Sequence, residues 1–169
     1  YLADNNGNSS GSSYVVYGKA SAFAATVNLS TLDGTNGFRL DGEAASNYSG
    51  WSVSSAGDIN GDGYDDLIIG AYSADPNGST SGSSYVVFGT GSAFAATVNL
   101  STLNGTNGFR LDGEAAGDLS GYSVSSAGDI NGDGYDDLII GAIYADPNGT
   151  SSGSSYVVFG TASAFASTV

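Results

Sequence analysis

The sequence predicts an all-β fold of repeated four-stranded antiparallel blades, the architecture of a β-propeller, and three observations carry that expectation. The first is repetition: Asp58-Ile59-Asn60-Gly61-Asp62-Gly63-Tyr64-Asp65-Asp66 returns letter for letter as residues 129–137, an offset of 71. The same offset relates Tyr14-Val15-Val16, Tyr85-Val86-Val87 and Tyr156-Val157-Val158, and it relates Phe38-Arg39-Leu40-Asp41-Gly42-Glu43 to residues 109–114. A fixed period of this kind marks a repeat architecture. The second is local pattern, since short runs of β-branched and aromatic residues lie between Gly-, Ser-, Asn- and Asp-rich turns. The third is the count: each unit holds Trp/Tyr-Ser-Val, Leu-Ile-Ile-Gly-Ala, Tyr-Val-Val-Phe and Phe-Arg-Leu. Four antiparallel strands per repeat is the pattern of a propeller blade.

Taken in order, residues 1–11 are a polar surface loop, and residues 12–17 form a strand with Tyr14 and Val16 on one face. A long connection to Gly37 is expected to be irregular or to hold one short helical turn. Its Phe23, Val27, Leu29 and Leu32 are expected to pin it to the sheet. Residues 38–41 form the next strand, 43–49 a loop of small residues, and 51–56 and 66–71 two strands joined by the acidic nonapeptide. The second unit repeats this order, and the chain reaches a third Ser-Ser-Tyr-Val-Val-Phe strand, nine strands in all. Residues 1–49 then read as a partial blade, 50–120 as a full repeat and 121–169 as a partial repeat.

The nonapeptide carries the chemistry. Oxygen side chains at positions one, three, five and nine of a tight Gly-rich loop suit a hard cation that takes six to eight oxygens, calcium rather than zinc or copper. The expected ligands are Asp58, Asn60, Asp62 and Asp66 with the Tyr64 carbonyl, and Asp129, Asn131, Asp133 and Asp137 with the Tyr135 carbonyl. That is one Ca2+ per complete repeat and two in this chain. Gly63 and Gly134 fall where the loop must turn sharply. Asp65 and Asp136, at position eight, are expected to point outward or to support the cage. A plain Asn-Gly-Asp-Gly turn is the alternative, but a turn does not need four carboxylates in nine residues that repel one another without a cation. Position twelve is Ile69 or Ile140 where an EF-hand needs Glu, which excludes that motif.

Composition narrows the function. Seventeen acids against three bases give a net charge of −14, and eight of the acids lie in the two loops. No basic patch exists to neutralise phosphates, which argues against nucleic acid and anionic membranes. Cysteine and histidine are absent, so disulfides, thiolate metal sites and Ser-His-Asp catalysis are excluded. The paired acids are better explained as metal ligands or, at Asp41 and Glu43 beside Arg39, as a surface ion pair. The reading is therefore not an enzyme. No apolar run is long enough to cross a membrane, and calcium loops of this kind suit the millimolar calcium outside cells. Seven Asn-x-Ser/Thr sites are present, as expected by chance in a chain this rich in Asn and Ser.

Gly50-Trp51-Ser52-Val53 through Gly70-Ala71, and Gly121-Tyr122-Ser123-Val124 through Gly141-Ala142, resemble the FG-GAP repeat. That repeat forms the blades of the integrin α-subunit propeller and of many bacterial surface proteins. Ser49 and Ser120 stand where the family has Phe, and Tyr72 and Ile143 where it has the Pro of Gly-Ala-Pro. The resemblance implies an extracellular or cell-surface location and ligand contacts on the loops opposite the calcium hairpins. Those are residues 43–49 and 72–82, with 114–120 and 143–153 as second copies, and Tyr48, Tyr72, Asp75, Tyr144 and Asp146 as the named contacts.

Two functions follow as expectations. One is a calcium-rigidified structural or adhesive surface protein, favoured by the near identity of the units. The other is a propeller module binding an extracellular protein or glycan, favoured by the loop aromatics. Two units and 27 further residues do not close a ring of four to eight blades, and the chain opens at Tyr1 inside a repeat. The expected partners are therefore further copies of the repeat, in a longer chain or a head-to-tail array.

Overall fold

A computed structural model describes residues 1–169. It contains ten strands: β1 (Ser12–Val16), β2 (Gly37–Asp41), β3 (Ser52–Gly57), β4 (Asp66–Ala71), β5 (Ser83–Val87), β6 (Thr97–Asn99), β7 (Gly108–Asp112), β8 (Ser120–Gly128), β9 (Asp137–Ala142) and β10 (Ser154–Val158). The middle sheet runs β3-β4-β5-β7 and is antiparallel throughout, a four-stranded sheet of the expected kind. Sheets β1-β2-β6 and β10-β9-β8 flank it.

Alternation along the central strands explains why the sheets stack. In β4, Ile68 belongs to a cluster with Phe109, Val124, Leu138 and Ile140, between the second and third sheets. Its neighbour Ile69 points the other way, into a cluster with Phe38, Leu40, Tyr85 and Leu100 between the first and second. Successive side chains of a strand face opposite sides, so an Ile-Ile pair buries both faces only when a sheet lies on each. The same residue types report the difference in cover: Ile68 is fully buried, whereas its counterpart Ile139 is 38% exposed.

The long connection departs from expectation in two ways. It does contain the short helical turn, a 3-10 turn at Leu29–Thr31 and again at Leu100–Thr102. Each is capped by an Asn side chain that accepts from the backbone two residues on. In the second copy it also supplies the tenth strand, β6, which lies parallel to β2 rather than antiparallel. The apolar residues then dock on the preceding unit: the Phe94 ring stacks on Phe38 at 4.2 Å, and Phe165 stacks on Phe109 at the same distance. Phe23, Val27 and Leu29 are not pinned to the sheet but exposed. The surface that receives this segment is the outer strand of the unit before it, and no strand precedes β1 within residues 1–169.

Charged groups also tie successive units. Arg39 pairs with Asp41 on its own strand at 2.8 Å, and Asp41 is buried rather than at the surface. Glu43 reaches forward, accepting from Tyr85 Oη at 2.8 Å and pairing with Arg110 at 3.1 Å. The Tyr156–Glu114 hydrogen bond repeats this link one unit later. Burial, and then the Glu43 charge, hold the Tyr85 phenol above its ordinary range.

Phe109 is wholly buried and Phe23 half exposed. Phe109→Ala is therefore expected to destabilise the protein by about 3–5 kcal/mol in urea unfolding, and Phe23→Ala by about 1 kcal/mol or less. Equal losses would contradict the burial of the Phe109 ring between the second and third sheets.

Candidate metal centre

The loop between β3 and β4 is shaped by its own carboxylates. Asp58 Oδ1 accepts from the Asp62 N–H at 3.0 Å and Oδ2 from the Gly63 N–H at 2.9 Å. Asn60 Oδ1 accepts from Asp62 N–H and Asp62 Oδ1 from Tyr64 N–H, both at 2.9 Å. Turning N–H groups inward in this way needs left-handed backbone, which Gly61 and Gly63 adopt at φ +73° and +89°. Asp66 closes the loop from below. It is fully buried, with Oδ2 accepting from Ile59 N–H at 3.1 Å and Oδ1 from Gly89 N–H at 2.7 Å.

The loop between β8 and β9 repeats the set. Asp129 accepts from Asp133 and Gly134, Asn131 from Asp133, and Asp133 from Tyr135. Buried Asp137 accepts from Ile130 and Gly160. The two position-eight residues differ. Asp65 is exposed, as expected, but Asp136 lies against the first loop, where its Oδ2 accepts from the Asp58 N–H at 2.9 Å.

As they stand, these acids are turned toward backbone donors, and no group of three or more is gathered tightly enough to hold a metal ion. The donor chemistry fits a hard cation nonetheless. Every donor is an oxygen, and each carboxylate oxygen already holding one N–H keeps a second lone pair. Asp66 also has an unbalanced charge. Burial, with Asp62 and Asp58 adding to it, pushes its carboxyl up to about 7. None of the chain's ion pairs reaches the loop: both arginines are engaged by Asp41, Glu43 and Asp112, and Lys19 lies over Phe23.

At the other end of β3 and β4, the loops zip together through backbone bonds, for example Gly117 N–H to Ser79 O and Leu119 N–H to Thr80 O. Tyr48 and Tyr72 stack there at 5.8 Å. Sequence reasoning missed that Trp51 and Tyr122 join them, with Trp51 4.9 Å from Tyr72 and 5.5 Å from Tyr122. The available signal was position, since each opens a blade directly after Gly50 or Gly121. Asp75 and Asp146 are engaged inside their own loops, accepting from Thr80 N–H and Ser151 N–H. Exposed Tyr144 stands apart from the aromatic group, its N–H donated to the Asp118 carbonyl.

The family model described as "FG-GAP repeat" matches residues 49–87 and 120–158, each spanning one of these hairpins and the strand after it. Integrin alpha-PS2 of Drosophila melanogaster is 32% identical over 119 residues, 68% of this chain and 8% of the relative. Integrin alpha-6 of Homo sapiens is 33% identical over 63% of the chain and 9% of its own length. Integrin alpha-IIb of Mus musculus is 34% identical over 66% and 10%. The chain thus spans a tenth or less of the relatives it matches. With an all-β structure of stacked antiparallel sheets and the motif present twice, the chain carries two FG-GAP repeats, propeller blades similar to those of integrin α-subunits.

Proposed function

We propose that this chain is a calcium-rigidified propeller segment of an extracellular structural or adhesive surface protein, without catalytic activity. The observation that carries the reading is the buried Asp66 carboxylate, closed beneath an exposed loop of oxygens with no cationic side chain to balance it. Asp58, Asn60, Asp62, Asp66 and the Tyr64 carbonyl would hold one ion, and Asp129, Asn131, Asp133, Asp137 and the Tyr135 carbonyl a second. Calcium supplies the charge that offsets the clustered carboxylates and so locks each hairpin. An extracellular place is supported by the likeness to integrin α-subunits, and no helix is long and apolar enough to cross a membrane. Further copies of the repeat are the partners this reading gives the chain, because each blade face is apolar.

A ligand-binding module is the second reading, and the aromatic group favours it. Tyr48, Trp51 and Tyr72 have Leu119, Tyr122 and Ile143 at the offset of 71, so the units diverge where a dedicated protein or glycan site would make them diverge. Trp51 is the only tryptophan. A glycan or protein ligand on this surface would change its fluorescence on titration, and a flat response across a glycan panel and candidate surface proteins speaks against the reading.

Calcium is expected to raise the melting temperature and magnesium to do so weakly, because magnesium demands a compact octahedron. At a hundredfold excess over Kd one site adds about 2.7 kcal/mol; melting curves indifferent to a calcium-selective chelator would refute calcium binding. Asp62→Ala and Asp133→Ala are each expected to remove one ion by calorimetric titration, and Asp65→Ala none. In chelator, Asp66→Ala is still expected to cost about 2–5 kcal/mol, because the Ile59 and Gly89 N–H groups lose their acceptor. A loss equal to that of Asp65→Ala would show that the buried carboxylate has no structural part.

A further inference from the structure

The two acidic loops are not independent. The second lies against the first at two points, through Asp136 and Tyr135, and the segment after β10 adds a third. Asp136 Oδ2 accepts from the Asp58 N–H at 2.9 Å, and the Asp136 N–H donates back to the Asp58 carbonyl at 3.2 Å. The Thr161 N–H donates to the Ile59 carbonyl at 2.9 Å. The Tyr135 ring covers Gly61 so closely that a Cβ there would collide with it. The cover is visible in burial: Ile59 is fully buried, and Ile130, its counterpart in the second loop, is 55% exposed.

Asp136 stands between Tyr135 and Asp137, positions seven and nine of its own loop, so its place is set by how that loop closes. Asp58 is position one of the other loop, and its carboxylate organises the Asp62 and Gly63 amides. A reciprocal pair of hydrogen bonds therefore joins a closing residue of the second loop to the opening residue of the first. We infer that Asp136 is a positioning residue for the first site, and that calcium in the second loop prepares the first loop to bind. This rests on the calcium reading above. Coupling between sites is reciprocal, so the first ion must aid the second by the same factor. Loss of one such hydrogen bond corresponds to about a fivefold change in affinity. Asp65 provides the control, because it is exposed and its carboxylate makes no hydrogen bond to the second acidic loop.

The test is a calcium titration of the whole chain followed by NMR at the Gly63 and Gly134 amides, one for each loop. The wild type is expected to fill both sites cooperatively. D136A is expected to lose that cooperativity and to move the Gly63 midpoint to about fivefold higher calcium. D136N retains an oxygen that can accept from the Asp58 N–H and is expected to restore most of the shift, and D65A to leave the Gly134 midpoint in place. Two independent isotherms in the wild type would overturn the inference while leaving calcium binding intact, and this outcome needs no variant to fold. A Gly63 midpoint unmoved by D136A would also overturn it. So would D136N matching D136A, because the effect would then be charge rather than position. Failure of the wild type to bind calcium at either amide would remove the calcium reading and this inference with it.

Discussion

A strand buried on both faces needs a neighbour on each side, and the molecule depends on that constraint. In β4 the consecutive Ile68 and Ile69 enter different clusters, so the middle sheet cannot satisfy its own sequence. Burying apolar area at about 25 cal/mol per Å2 rewards stacking sheet on sheet. The stacking in turn brings together loops that lie far apart in the chain. The acidic hairpins meet at one end of the stack and the aromatic residues at the other because β3, β4, β8 and β9 are held side by side.

Polar contacts give the stack its order and direction. Glu43 crosses from one unit to Tyr85 and Arg110 of the next, and Glu114 crosses likewise to Tyr156. Going the other way, the second and third connections each lay a Phe on the outer strand of the unit before them. Hydrophobic faces alone would tolerate sliding. Hydrogen bonds and ion pairs at defined positions do not, because a slipped register leaves partly buried acceptors without donors.

Much of this was legible from the residues. Alternation and turn chemistry located β4, β5, β9 and β10 within a residue or two, and the period paired each strand with its copy. The nonapeptide marked the hairpin that the structure draws in detail. What local pattern could not supply was contact between units. The β6 strand is Thr97-Val98-Asn99, and the identical Thr26-Val27-Asn28 is not a strand; the difference is whether a preceding β2 is present. Asp65 and Asp136 are likewise the same residue in the same motif, yet only the Asp136 carboxylate accepts from another acidic loop. Glu43 reads as a partner of Arg39 by proximity in sequence, but the fold places Arg110 within reach instead. Identical sequence with unequal surroundings is the limit of reading a repeat one unit at a time.

The parallel seating of β6 on β2 has a consequence for how the chain is made. Residues leave the ribosome in order, at roughly 5–20 per second. The outer edge of the first sheet is not completed by its own unit: Arg39 must wait for Thr97, and Phe38 for Phe94. A half-finished sheet therefore presents an open edge during synthesis until the following unit arrives. Each unit thus completes the sheet edge of the one made before it.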